Sequence, residues 1–209
     1  MKEKVVLIGA GGHAKVIIDI LNQNGNYEII GCLDKSYREK GKILGCDVIG
    51  DDSMIPKLYS RGIKKAFVAL GDNKLRHRIS KNLISRGFSL VNAISEKSYI
   101  ARSVRLGSGI AVMAGAVINP DTIIGDNVII NTNASIDHDC NIGESCHIAP
   151  GANLSGNVSI GAGTFLGTGC KIRDKINIGE WSVVGVGSAV VGDIPSHSLA
   201  YGVPARVKN

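Results

Sequence analysis

Large rings are scarce in this chain. Its 209 residues include three Phe, five Tyr and one Trp, which excludes a core built on aromatics and leaves packing to aliphatic side chains. Long apolar runs are missing too: no segment approaches the ~20 uninterrupted apolar residues of a membrane-spanning helix. The opening run Val5-Val-Leu-Ile8 is too short for a signal-peptide core, and a Gly-rich turn follows at once. The five cysteines, Cys32, Cys46, Cys140, Cys146 and Cys170, are odd in number and form no CxxC pair. That spacing speaks against a disulfide framework and against a Cys zinc site, and a reduced cytoplasmic protein is the expectation. The length suits one or two domains with a core that needs no covalent staples.

What is abundant is glycine, 27 residues in all, close to twice the usual share of ~7%, so tight repeated backbone turns are expected. Charge is unevenly spread. Residues 1–95 carry 16 Lys/Arg against 9 Asp/Glu, net +7, and residues 96–209 carry 8 against 9, net −1, for a total of +6. A basic first half suits a phosphate-bearing ligand. Nucleic acid is not expected, because no basic run is interleaved with aromatics and no known binding motif occurs.

From about residue 98 an aliphatic residue recurs every six positions, sixteen times, from Ile100 and Leu106 through Ile136, Ile142 and Ile148 to Val184 and Val190. The residue two places before each is small or β-branched in most hexads, as at Val104, Ala116, Thr122, Ala134 and Val158. A six-residue repeat is the signature of a β-helix built from short strands. Positions i and i−2 point the same way on a strand, so both line the interior. Three strands make a triangular coil of 18 residues, and just over five coils stacked at ~4.8 Å give a prism roughly 25 Å tall. Cys140, Cys146 and Cys170 fall on the inward i−2 position and read as small core hydrophobes.

Residues 1–95 alternate apolar strand runs (Lys4–Ile8, Tyr27–Leu33, Lys65–Leu70 and Ser89–Asn92) with helical stretches. The first helix carries Val16, Ile17, Ile20 and Leu21 on one face, a second covers Ser53–Arg61, and a third runs from a cap at Asn73 to about Arg86. This is the pattern of a small parallel α/β, Rossmann-like domain, with a boundary near 93–98. Two domains are therefore expected, 1–95 and 96–209.

The strand-turn-helix at Gly9-Ala-Gly-Gly-His-Ala14 is an anion site in the making, because free N–H groups and the helix dipole converge there. Gly9-x-Gly11-x-x-Ala14 fits the dinucleotide pattern, with Asp34 at the end of the second strand placed to meet a ribose. An NAD(P) enzyme is thus a rival reading. Against it, ~95 residues hold little more than one mononucleotide-binding half, and His13 at the helix start suits a shorter, nucleotide-linked ligand.

Five histidines occur. His77, within Arg76-His-Arg78, reads as part of a solvated helix face, and His197 as an exposed turn residue. His138 is two residues past Ile136, at a prism corner, between Asp137 and Asp139. A carboxylate beside a His raises the ring's basicity and orients it, as a general base requires. His147 sits one residue before Ile148 and points outward from the face opposite that corner. Across one prism the two imidazoles do not meet, so a shared site needs two subunits, as in a three-fold assembly. Metal binding is not expected, since no third ligand is evident.

The hexads, His138-Asp139, His147 nine residues on, the closing Gly202-Val-Pro-Ala-Arg206, and the leading Gly-x-Gly-Gly-His together resemble the left-handed β-helix sugar O-/N-acyltransferases. This branch includes the sialic acid O-acetyltransferases and the UDP-amino-sugar N-acetyltransferases of bacillosamine synthesis. The resemblance covers essentially the whole chain. It implies a left-handed β-helix of hexapeptide repeats after the α/β domain, and a homotrimer with acetyl-CoA in the groove between prisms. It also implies a soluble enzyme with no membrane or nucleic-acid partner. His138 would be the general base and Asp139 its tuning acid, a place where relatives more often carry Glu. His147 would hydrogen-bond the thioester carbonyl or the cofactor, the backbone N–H of Gly156 would be offered there, and Thr168 and Val186 would contact the pantetheine arm. In the first domain Gly11, Gly12 and His13 would hold the diphosphate, Asp34 and Lys35 the nucleoside, and Gly71 would close the pocket. The implied reaction is acetyl transfer from acetyl-CoA to the amine of a UDP-linked 4-amino-4,6-dideoxy sugar. Two alternatives stand beside it: O-acetylation of a sialic acid or related sugar, and a non-catalytic sugar-nucleotide-binding trimeric scaffold.

Overall fold

The computed structural model describes residues 2–208, which divide into two compact units between Ser95 and Glu96.

In the first unit β1 (Glu3–Ile8) runs into α1 (Gly12–Asn24), and β2 (Tyr27–Leu33) follows. A one-turn α2 (Tyr37–Lys40) and a hairpin of β3 (Lys42–Ile43) and β4 (Cys46–Gly50) come next. Then come a 3-10 turn at Asp52–Met54, α3 (Ile55–Ser60), β5 (Lys65–Val68), α4 (Asn73–Ser85) and β6 (Ser89–Leu90). The sheet order is β3-β4-β2-β1-β5-β6, parallel apart from the β3–β4 hairpin. The chain builds outward from β1 on one side, then returns to build on the other. The carboxyl ends of β1, β2 and β5 therefore meet at the switch point, where open α/β sheets take ligands.

Helix α1 buries Ala14, Ile17, Ile18, Ile20 and Leu21, while Val16, expected inside, is 39% exposed. The stripe is rotated by Ile18, which fills the inner face in its place. It ends at Gly25 in the left-handed region, φ 66°. Helix α4 is capped not by Asn73 but by Asp72, whose carboxylate accepts the Leu75 N–H at 2.7 Å. Asn73 is buried and otherwise engaged. The other sheet face packs Val6, Leu33 and Val68 against Ile55, Leu58 and Leu83 of α3 and α4.

The second unit is a parallel β-helix. Sixteen two-residue strands, from Tyr99–Ile100 to Ala189–Val190, each end on the aliphatic of a hexad. All but the last three pair with the strand 18 residues on, as in the stack Ile118, Ile136, Leu154, Ile172 and Val190. From Ile110 to Val190 both inward positions of every hexad are buried, including Cys140, Cys146 and Cys170, whereas Ile100 and Leu106 at the open first coil are half-buried. Inward hydroxyls donate to corner carbonyls: Thr122 to Asp137 O at 2.9 Å, Thr164 to Gly179 O at 2.7 Å, Ser182 to Pro195 O at 2.8 Å. The polar groups of the core are thereby satisfied. Corners turn through a left-handed residue three places after the aliphatic. Asn and Asp tolerate that conformation best among non-glycine residues, and Asp121, Asn127, Asn133, Asp139 and Asn157 take it with φ between 55° and 62°. An antiparallel hairpin, Leu199–Gly202 with Ala205–Lys208, follows the last coil.

Candidate functional site

His138 stands at the corner after Ser135–Ile136, with 53% of its side chain exposed. Its Nδ1 is 2.7 Å from Asp139 Oδ2. Nδ1 donates to the carboxylate and leaves the Nε2 lone pair outward as a base. The hydrogen bond to Asp139 raises the imidazole above its ordinary pKa, and the charges of Asp137 and Asp139 add to that. Asp139 is also the left-handed corner residue, φ 59°. A short carboxylate at this backbone geometry both makes the turn and reaches the ring.

The corner is braced from both sides of the coil wall. Asp137 accepts the backbone N–H of His138 at 2.9 Å and the Asn119 amide at 3.0 Å, which holds its carboxyl below the usual range. Thr122 holds the Asp137 carbonyl from the core. Gly156, one coil on, lies against the ring: a Cβ there would be 2.6 Å from His138 Cε1 and 2.7 Å from Nε2. Its carbonyl accepts the Lys175 N–H, while its own N–H meets no described acceptor. Asp137 is expected beside His138 and Thr122 inside the prism, but their bracing of the corner, and Asn119 altogether, escaped the sequence reading. Their signal is the 18-residue spacing of Asn119 and Asp137.

His147 occupies an outward position of its strand, yet it is only 9% exposed. Phe165, paired with it one coil on, meets it edge-to-face at 5.1 Å, and Asn131 Nδ2 is 3.0 Å from Nε2. Asn131 Oδ1 accepts the Thr132 N–H at 2.8 Å, so its amide N–H₂ faces the imidazole and His147 Nε2 is the acceptor. The imidazole points outward as expected, but it is packed there, because its neighbours on that face are large. Thr168 and the 76%-exposed Val186 form a ridge linked by Gly187 N–H to Thr168 O at 2.9 Å. That ridge follows the sheet of Ile148, Leu166 and Val184, a different corner from that of His138. The single unit thus joins His138, Asp139 and Gly156 and leaves His147, Thr168 and Val186 apart from them.

In the α/β unit, Gly9 (φ 106°) turns where a Cβ would be 2.7 Å from Leu70 Cδ2 and 2.9 Å from Ala69 O, so the turn abuts the end of β5. Asp34 braces it: Oδ2 accepts the Ala10 N–H at 2.8 Å and Oδ1 the Ser36 N–H at 2.9 Å. Gly11 and Gly12 are exposed at the N-terminus of α1 with no heavy atom within 4 Å of a notional Cβ, an open anion position. His13 departs from its expected part. Its Nε2 is buried without a hydrogen-bond partner, and burial, followed by the charge of Arg76, lowers its pKa to about 4. The ring is uncharged at neutral pH and offers no positive charge to a phosphate.

Arg76 precedes His77, the residue expected on a solvated helix face. The arginine is 1% exposed, and its guanidinium donates to Leu70 O and Gly71 O, each at 3.1 Å, and to Asn73 Oδ1 at 2.9 Å. His77 is half-buried. Arg76 anchors the end of β5, and with it Gly71, to the start of α4. Beside this lies a cavity of about 490 Å³. Leu33, Leu70 and Ile79 supply apolar wall, Asp34, Lys35 and Asp52 one polar side, and Arg78, Asn82 and Arg86 of α4 the other. Of the six expected ligand residues, Asp34 and Lys35 line it, while Gly11, Gly12, His13 and Gly71 do not. Asp52, Arg78, Asn82 and Arg86 were missed. The last three share a helix face at i, i+4 and i+8, a pattern readable in the sequence. No group of His, Cys, Asp and Glu among the described residues is arranged to hold a metal ion.

Comparison with known proteins places this geometry. The family model of the PglD N-terminal domain matches residues 4–83, and that of the bacterial transferase hexapeptide (six repeats) matches residues 121–156. The structure is similar to PerB from Caulobacter crescentus in complex with CoA and GDP-perosamine, with 46% identity, a TM-score of 0.94, and coverage of 99% of this chain and 97% of that one. It is similar as well to the acetyltransferase domain of PglB from Neisseria gonorrhoeae FA1090 in complex with acetyl coenzyme A, at 36% identity, TM-score 0.94 and full coverage of both chains (100%). A shorter stretch, 31 residues at 61% identity, matches dTDP-3-amino-3,6-dideoxy-alpha-D-galactopyranose 3-N-acetyltransferase of Aneurinibacillus thermoaerophilus, or 15% of this chain. The chain spans 20% and 16% of the lengths of the curated relatives it matches. By its two-part order, its repeat and its likeness over nearly the whole length of solved relatives, the chain belongs to the left-handed β-helix sugar acyltransferases that carry a PglD-type N-terminal domain.

Proposed function

We propose that this protein transfers an acetyl group from acetyl-CoA to the amine of a nucleotide-linked 4-amino-4,6-dideoxy sugar, without an acyl-enzyme, with His138 as general base. The observation that carries the reading is the His138–Asp139 pair set against Gly156, in a chain so similar to proteins solved with CoA, acetyl-CoA and GDP-perosamine. The sugar ammonium releases one proton to solvent to become a nucleophilic amine, and the nitrogen must shed a second as the amide forms. His138 Nε2 takes that second proton while Asp139 holds Nδ1 and stabilises the imidazolium. The new N–C bond forms as the C–S bond breaks, CoA leaves as thiolate, and the imidazolium returns its proton to it. The Gly156 N–H, unengaged beside the ring, is suited to the developing oxyanion. Cys140 takes no covalent part, because its thiol is turned into the core.

His147, Thr168 and Val186 belong to the acetyl-CoA groove in this reading. Their separation from His138 within one prism supports a homotrimer whose sites lie between neighbouring β-helices. The 490 Å³ cavity of the α/β unit takes the nucleoside, with Asp34 and Lys35 at one side and Arg78, Asn82 and Arg86 at the other. The open N–H groups of Gly11 and Gly12 take the diphosphate. UDP was the carrier expected from the sequence. The likeness to a protein solved with GDP-perosamine adds GDP to the carriers to be tried first.

The test is to mix the protein with acetyl-CoA and UDP- or GDP-linked 4-amino-4,6-dideoxy sugars, follow CoA release and weigh the sugar. Gain of one acetyl group on the amine, absent with His138→Ala, is the expected result. Acetyl gain on a hydroxyl of an unlinked sialic acid would favour the O-acetyltransferase. Nucleotide-sugar binding with no acetyl-CoA consumption would favour the scaffold.

A further inference from the structure

Two of the five thiols face each other. Cys32 on β2 stands opposite Val48 of β4, and Cys46 precedes Val48 by two residues on the same strand face. The two are diagonal neighbours on one face of the sheet, and their Sγ atoms are 3.4 Å apart. A disulfide needs about 2.05 Å, a closure of roughly 1.4 Å, which for diagonal neighbours calls on a small shift of the start of β4 as well as side-chain rotation. Cys140 and Cys146 instead give their thiols to the carbonyls of Ser155 and Gly161, at 3.3 and 3.0 Å, inside the prism. The pair is also asymmetric. Cys32 is fully buried, whereas Cys46 is part-exposed and lines a surface cleft of about 350 Å³ beside Lys2, Asn22 and Glu28.

We infer that Cys32 and Cys46 form a reversible modification site: a dithiol that closes to an intramolecular disulfide by exchange with a small-molecule disulfide such as oxidised glutathione, which enters through the cleft at Cys46. The Cys46 thiolate attacks one sulfur of the reagent, and a mixed disulfide forms as one glutathione thiolate leaves. Cys32 then loses its proton and attacks Cys46 Sγ, and the second glutathione leaves. The protein dithiol is oxidised, one glutathione disulfide is reduced to two glutathiones, and the two protein thiol protons end on them. The order of attack follows from access, and electrostatics agree with it. The hydrogen bond between the thiols lowers the pKa of Cys46 and raises that of Cys32, which burial raises further. The disulfide would fasten β2 to the start of β4 two residues before Asp34, the residue that braces the Gly9–Gly11 turn.

The test is to incubate the full-length reduced protein with oxidised glutathione, alkylate the remaining thiols, and map the digest by mass. The expected product is a peptide pair joined through Cys32 and Cys46, two hydrogens lighter than the free peptides and restored by dithiothreitol. Cys32→Ala should retain one glutathione on Cys46, and Cys46→Ser should carry neither adduct nor cross-link. Wild-type protein that keeps glutathione on Cys46 without closing, or in which both thiols stay fully alkylatable at excess oxidant, would overturn the proposal. Because both overturning results are read on the wild type, they do not depend on how the variants fold.

Discussion

The β-helix and the α/β unit reach a binding surface by opposite routes. In the β-helix one rule repeats sixteen times, and chemistry resides where the rule is interrupted. His138 and Asp139 occupy turn positions filled one coil earlier by Pro120 and Asp121, and Gly156 is the counterpart of His138 one coil on. In the α/β unit nothing repeats. Asp34 ends β2, Arg76 and Arg78 lie on α4, Asp52 begins a 3-10 turn, and only the sheet topology brings them to one end of the fold. A repeat therefore displays its functional residues as exceptions, whereas a doubly wound sheet conceals them among residues that look structural.

Substitutions that restore or break the repeat should separate these roles. The largest effect is expected from His138→Ala, which removes the base while the corner backbone stays held by Asp137 and Thr122. Turnover should fall about 10²–10⁴-fold with thermal unfolding unchanged. Gly156→Ala asks whether a corner glycine serves the coil or the imidazole. Its backbone is not left-handed, so the new methyl acts only by displacing the ring, 2.6 Å away. A drop in kcat of about tenfold or more, with acetyl-CoA affinity retained, is expected from the lost alignment. Asp139→Asn preserves the left-handed turn but removes the charge that raises His138. The acid limb of kcat/KM should move to lower pH as turnover falls, and a titration over pH 5–9 measures both.

In the other unit the expected effects are on stability. Arg76→Met leaves the carbonyls of Leu70 and Gly71 without their donor and should cost the α/β unit about 1–3 kcal/mol in denaturant unfolding, with the β-helix transition unmoved. The smallest effect is the acid response of His13. Its native pKa of about 4 lies below the ordinary 6.5, so the unfolded chain binds the extra proton first. Stability of the unit should decline as pH falls from about 6.5 to about 4, a slope that His13→Asn should remove.

How far each unit was legible follows the same division. The coils could be read to the residue, since each strand ends on the aliphatic that marks its hexad, and the corner position of His138 followed from counting. The packing of His147 could not, because Asn131 and Phe165 approach it from adjacent coils. In the α/β unit the strands at β1, β2 and β5 announced themselves as apolar runs. The β3–β4 hairpin did not: its two-residue turn places Leu44 and Gly45 at φ 45° and 78°, and Leu is not a residue that signals such a turn. Arg76 was illegible for a related reason. Arg76-His-Arg78 looks like a wetted helix face, and only the carbonyls at the end of β5, distant from any local pattern, make a buried guanidinium affordable. Asp34 was found by position, but its carboxylate holds the Ala10 N–H as well as lining the cavity.

The measurement that bears most directly on the account is the pH dependence of kcat/KM for acetyl transfer in the wild type and in His138→Asn. The account predicts a wild-type rate that rises with pH through two ionisations, that of the substrate amine and one at or above the ordinary histidine range, and a variant reduced by about 10²–10⁴-fold in which only the amine ionisation remains. A variant that keeps both ionisations, or keeps near-normal turnover, would contradict the assignment of the base to this corner.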